Sequence, residues 1–312
     1  MDIIVSINTQ KIDQAELLRM ADLGATIVRL NGAHLETEVL PSVVAAVREK
    51  GRKRFRIMLD LPGNKIRTRH IRVPIALQIG QTFQLYHQNF SYPGFLELLK
   101  ERDVLTSQDG RLHMRVEQVG KDCVTLQALS HGHLDNNRGI HRKGGSPNGL
   151  PFLLEKDHEL IRLAKGLPID ILAISYVRSP DDIGRIEKIL EGCRLTPIYK
   201  IETREAIDQL DAILDRAQQV LIDRGDLSSE IGLVQFPAVF NRILERCRTH
   251  GKGVYVATQL FASMIEHNRP FISEVMEFDR LVKAGIQGIQ LSDETAIGHY
   301  PIEVLEFIRE AL

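Results

Sequence analysis

The chain has 312 residues with 40 Lys plus Arg against 41 Asp plus Glu, a length that suits one large domain or two smaller ones and a balance that offers no positive field for nucleic acid or an anionic membrane. Its three cysteines, Cys123, Cys193 and Cys247, are widely spaced, which argues against a disulfide framework or a zinc knuckle and for a reducing compartment. The opening "MDIIVSINTQ" carries an acid at position 2 and no run approaches the roughly 18 apolar residues of a membrane span, so neither a signal peptide nor a membrane helix is expected, and a cytoplasmic protein with a small-molecule partner is.

In chain order, short apolar runs rich in β-branched residues alternate with stretches of helical period. The runs are "IIVSI" (3 to 7), "TIVRL" (26 to 30), "FRIML" (55 to 59), "DILAI" (170 to 174), "PIYKI" (197 to 201), "QVLI" (219 to 222), "GVYVA" (253 to 257) and "GIQL" (288 to 291). Between them lie amphipathic segments such as "QAELLRMADLG" and "SEVMEFDRLVKAG", several ending in the Gly that a helix terminus prefers. Eight βα units predict an α/β fold of the TIM (β/α)8 barrel type.

One connection breaks the rhythm. About 110 residues separate "LD" at 59 to 60 from "DILAI" at 170, far more than a βα loop needs. Within them "QTFQLYH", "RLHMRVEQV" and "CVTLQAL" read as strands, with a turn at 120 to 122 and a hairpin turn at Asp109-Gly110. A small β-barrel lid is therefore expected over residues 70–150, with the catalytic barrel formed by 1–69 and 151–312. Hinges are expected near Arg69 and Pro74 and in "KGGSPNG" at 143 to 149. In "SHGHLDNNRGIHRKGG", His131, His133, His141 and Asp135 match no metal-ligand spacing and read as a polar loop of the lid.

A TIM barrel builds its site from the C-terminal ends of its strands, and the polar residues fall there. Arg29, Asn31 and His34 follow strand two, Asp60 and Arg67 strand three, and Lys200 and Glu202 strand five. Asp223, Arg224 and Asp226 follow strand six, Thr258 and Gln259 strand seven, Ser292 and Glu294 strand eight. Lys200 and Glu202 share one side of a strand at its end, where a buried charge is costly unless paired or liganded. A structural ion pair would account for them taken alone. With the other residues, they suit an anionic substrate held through a divalent metal, Glu202 and Asp226 being hard oxygen ligands, and phosphoryl transfer fits that inventory.

The segments "VRLNGAH", "LDLPGNKIRT", "LPFLLEKD", "SYVRSPDDI", "YKIET", "RGDLSSEIG", "VATQLFASMIEHNRP" and "LSDETAIGHYP", in this order, resemble the pyruvate kinase family. The resemblance implies a barrel with a β lid, phosphoenolpyruvate or pyruvate and ADP or ATP as partners, and Mg²⁺ (or Mn²⁺) as cofactor. It implies that Lys200 lies over the transferring phosphoryl group, that Glu202 and Asp226 hold the metal, and that the backbone N–H groups of Gly225 and Asp226 receive the substrate carboxylate. Thr258 would help to position the proton donor, with Ser292 in the relay. Arg29 would grip phosphoryl oxygens, while Asn31, His34 and Arg67 would approach the nucleotide. The chain stops at Leu312, after the last barrel helix, so the family's C-terminal domain is expected to be missing and a homodimer through barrel helices is the expected assembly.

Departures from the family's pattern matter too. Where the family has a serine, a threonine and a glutamate, this chain has Ala33, Leu61 and Lys65, and the threonine after "RP" is Phe271. The first three weaken a monovalent-cation site, so K⁺ is not expected as a cofactor. They also keep open an altered acceptor, an aldolase-type reaction or a catalytically silent paralogue. Asp223 replaces a small apolar residue of the family and has no account from sequence.

Overall fold

The computed structural model describes every residue except 109 and 146–148. Its centre is a closed barrel of eight parallel strands: Asp2–Ser6, Ile27–Asn31, Arg56–Asp60, Ile171–Ile174, Thr196–Ile201, Gln219–Asp223, Gly253–Ala257 and Gly288–Leu291. Each pairs with its chain neighbours, and the first closes on the last through Ile3 opposite Ile289 and Val5 opposite Leu291.

Side chains alternate across a strand, so each barrel strand feeds two cores. Outward residues such as Val5, Val28, Leu172, Tyr199 and Ile222 pack against the surrounding helices. Inward residues fill the barrel itself: Ile4, Ile27, Met58, Ile171, Ala173, Ile198, Leu221, Tyr255 and Ala257. Gly288 is required beside this plug, because a Cβ there would stand 2.5 Å from Asp2 O and 2.9 Å from the Tyr255 ring. The parity of the plug fixes what lies above it. Two residues beyond Ile27 is Arg29, beyond Met58 is Asp60, beyond Ala173 is Ser175, beyond Ile198 is Lys200, and beyond Leu221 is Asp223. The polar residues thus form the next layer of the same column, at the C-terminal mouth.

The long connection carries the second sheet. Its antiparallel order is Ile66–Arg67, Gly139–Arg142, Val104–Ser107, Leu112–Val119, Cys123–Ala128, Thr82–Tyr86, and a two-stranded ribbon pairs Ile75–Leu77 with Gly132–Leu134. One antiparallel bridge between Thr68 and Phe90 ties the two edges together. The insertion has its own apolar core, with Leu85, Phe95, Leu105, Met114 and Leu126 among the buried residues. Its sheet begins at Ile66, before residue 70. The three strands expected from sequence are present, whereas Ile66–Arg67, Val104–Ser107, Gly139–Arg142 and the two ribbon strands are additions. Asp109 of the expected hairpin turn and positions 146–148 of one expected hinge lie outside the described residues.

Candidate active site

At the C-terminal mouth, under the inserted sheet, lies a cavity of about 340 Å³ whose wall includes Arg29, Lys200, Asp226, Thr258 and Ser292. Lys200 stands at its floor, 4% exposed. Its Nζ donates to Ser175 Oγ at 3.1 Å and lies 3.3, 3.4 and 3.6 Å from carboxylate oxygens of Glu202, Asp223 and Asp60. Lys200 and Glu202 are an ion pair, but a buried one, and the lysine serves two further acids. Burial alone would push the ammonium pKa down; Asp60, Glu202, Asp223 and Asp226 outweigh it and raise the pKa above the ordinary lysine value. Lys200 therefore stays charged.

Asp60 is held from two sides. Arg29 donates from Nε to Oδ2 at 2.7 Å and from Nη1 to Ser6 Oγ at 3.0 Å, while Oδ1 faces Ser175 and Lys200. Burial would raise its pKa, yet Lys200 and Arg29 prevail and lower it. Asp60, whose role sequence left open, is thus the anion that orients both cations.

Asp223 also acquires an account. It caps the helix Arg224–Ile231, accepting from Asp226 N at 3.4 Å, and lies 3.2 Å from the Thr258 hydroxyl as well as against Lys200. Gly225 and Asp226 do begin a helix, but their N–H groups are directed to Thr258 Oγ1 (2.9 Å) and Asp223. A carboxylate of the chain itself occupies that helix N-terminus.

Thr258 and Gln259 sit at φ 65° and 53°, a left-handed pair that is costly for a β-branched residue and characteristic of functional sites. Arg224 clamps them from behind, donating from Nε to Thr258 O at 3.0 Å and also to Gln259 O, with Glu277 holding its far side at 2.9 Å. Arg224 is therefore a support of the turn. Ser292 Oγ lines the cavity and is buried without a hydrogen-bond partner among the described residues.

Glu202 accepts from Tyr176 N at 2.7 Å through Oε1, while Oε2, the oxygen facing the Lys200 ammonium, is buried with no hydrogen-bond donor among the described residues. Burial pushes its carboxyl pKa up, against the opposing pull of Lys200. Single oxygens of Glu202, Asp223 and Asp226 lie within 4.8 Å of one another, a spacing and chemistry that fit one small divalent ion. Asp226 is engaged from the insertion side: Lys65 Nζ donates to its Oδ1, and His141 Nε2 lies 3.8 Å away. Burial would raise the Asp226 pKa, but Lys65, His141 and Lys200 lower it below the ordinary carboxylate value.

Asn31 and Arg67 line the cavity, and Asn31 Oδ1 accepts from Ala33 N at 3.1 Å. His34 does not line the wall; burial, with Arg67 and Arg29 nearby, holds its imidazole pKa below the ordinary value. Phe271 stands apart, 57% exposed and outside the cavity wall. His141 corrects the expectation of a polar loop, since it lies on the strand Gly139–Arg142 and reaches both Asp226 and Glu230 at 3.8 Å. Sequence reasoning missed it because the strand lies beyond a loop-like run of Gly, His and Asn, and only sheet pairing reveals its direction.

A family model described as "Pyruvate kinase, barrel domain" matches residues 1–305. Similar proteins include the pyruvate kinase of Borreliella burgdorferi, 30% identical over 98% of this chain and 66% of its own length. That of Sporosarcina psychrophila is 32% identical over 94% and 53%, and plastidial pyruvate kinase 2 of Arabidopsis thaliana 28% over 96% and 53%. The chain spans about half to two thirds of the length of these relatives.

Proposed function

The chain belongs to the pyruvate kinase family, and from that premise we propose that it transfers a phosphoryl group between phosphoenolpyruvate and ADP, giving pyruvate and ATP. The observation that carries this reading is the buried Lys200 ammonium at the floor of the mouth cavity, beside the clustered carboxylates of Glu202 and Asp226. Glu202 and Asp226 would hold Mg²⁺ or Mn²⁺, which when bound supplies Lewis-acid charge to substrate oxygens.

On this reading Lys200 offsets charge on the phosphoryl group in flight, a stabilisation that needs no reorganisation because Asp60 and Ser175 already fix its ammonium. Arg29, fixed in turn by Asp60 and Ser6, is a second cation for phosphoryl oxygens. Thr258, oriented by Gly225 N–H, and Ser292 position the group that delivers a proton to the carbon opposite. Asn31, Arg67 and the neutral His34 lie towards the nucleotide. The assay combines purified protein, phosphoenolpyruvate, Mg²⁺ and ADP and follows pyruvate and ATP together. Both products support the reading; binding without turnover favours a silent paralogue.

A second reading, a related reaction with another substrate, is favoured by Asp223. An internal carboxylate at the helix N-terminus and on the Thr258 hydroxyl repels a substrate carboxylate directed to the same amides. Pyruvate without ATP in the same assay, or turnover of phosphoenolpyruvate gained only on Asp223→Ala, would select it. A homodimer also remains our proposal, supported by the exposed apolar Ile272 and Met276 on the barrel helix Ile272–Lys283.

A further inference from the structure

We propose that Lys65 is a resident counter-cation of the carboxylate cluster and competes directly with a divalent ion for Asp226. This rests on the reading of Glu202 and Asp226 as the carboxylates that take the metal.

Lys65 precedes the first strand of the insertion, and its ammonium makes its only described hydrogen bond to Asp226 Oδ1. Both partners are largely buried, with side-chain exposures of 19% and 14%, so water screens the pair less than it would at the surface. The route of the side chain is built into the backbone. Lys65 passes over Gly139 on the neighbouring strand, where a Cβ would stand 2.6 Å from Lys65 Cε and 3.5 Å from its Nζ. A glycine at 139 thus leaves room for the end of the Lys65 side chain, which a Cβ there would force to shift.

An ammonium and a divalent ion drawn to the one Asp226 carboxylate disfavour each other. Two cations in contact with one oxygen would lie close to each other in a partly buried site, where repulsion is strong. A divalent ion in the cluster therefore binds against the Lys65 charge, most of all if it takes Oδ1. Glu202 Oε2, buried and without a hydrogen-bond donor among the described residues, lies 3.3 Å from the Lys200 ammonium, which Asp60 and Asp223 share, whereas the described ion pair of Lys65 is with Asp226 alone. Lys65 consequently sets the threshold at which the cluster takes a metal, and the insertion, through this one side chain, carries that threshold.

The test measures Mn²⁺ binding to the full chain without substrates, by the electron paramagnetic resonance signal of free Mn²⁺. Lys65→Met removes the competitor, and Gly139→Ala crowds its Cε and shifts the ammonium while keeping it in the chain. Both variants are expected to bind Mn²⁺ more tightly than the wild type, Lys65→Met by roughly tenfold or more, and Glu202→Gln is expected to abolish binding. Unchanged or weaker binding in both Lys65→Met and Gly139→Ala, with Glu202→Gln still losing the ion, would overturn the competition and leave the metal reading intact. No Mn²⁺ binding by the wild type or by Lys65→Met would overturn both.

Discussion

At the scale of single residues, the site depends on opposite charges that fix one another. Lys200 neutralises buried acids and also points a cation into the cavity, so Lys200→Ala should act twice. Loss of a preorganised charge should lower kcat by a factor of ~10² or more. The acids left without their partner should lower stability as well, because breaking a buried ion pair strands a charge. Near-normal turnover of the folded variant, its integrity checked by circular dichroism, would rule out the catalytic role.

The same scale governs the monovalent ion. Both oxygens of Asp60 face partners of the chain itself, Asn31 Oδ1 is engaged by Ala33 N, and Ala33 and Leu61 bring no side-chain oxygen. A cation that must replace lost water with several oxygens has little to bind. Turnover should therefore be the same in an organic-cation buffer with or without KCl at matched ionic strength, a control that removes general screening. Activation of roughly tenfold by K⁺ and not by Na⁺, at equal Debye length, would refute this. Lys65, adjacent in sequence to that region, is directed instead to Asp226.

At the scale of elements, the barrel strands place functional groups by parity and the short helices after them fix the turns. The helix Arg204–Asp208 begins at Thr203, whose hydroxyl accepts from Ala206 N at 3.1 Å and donates to Val177 O at 2.8 Å. It thus ties the end of strand five to the loop after strand four, directly behind Glu202. Thr203→Ala leaves those buried groups unpaired and should cost about 1–2 kcal/mol of unfolding free energy. Urea denaturation measures it; a change within error would mean that the cap is dispensable.

At the scale of the whole molecule, two cores share one chain. The insertion leaves and rejoins the barrel at neighbouring points: Asn64 Nδ2 donates to Pro151 O at 2.7 Å, and Gly63 N to Asp157 Oδ1 at 2.9 Å. Replacing residues 66–149 by a short Gly-Ser linker should leave a cooperatively folded barrel, since its apolar clusters do not draw on the insertion. Turnover should be lost with Arg67 and the roof of the cavity. Loss of a cooperative thermal transition in the shortened chain would show that the barrel needs the insertion to fold.

Local order was enough for the sequence to determine the barrel, its interrupted connection and the mouth residues, because strand periodicity is short-range and Lys200 and Glu202 continue the inward face of Ile198. The three longer insertion strands were legible for the same reason. What only tertiary structure decided are the contacts between residues far apart in the chain: Asp60 orienting Arg29 and Lys200, Asp223 capping a helix while meeting Thr258, Lys65 crossing Gly139 to Asp226, and His141 facing Asp226 and Glu230. These are charge pairings, and a charge selects its partner by distance and burial in the folded chain, neither of which is expressed in sequence spacing.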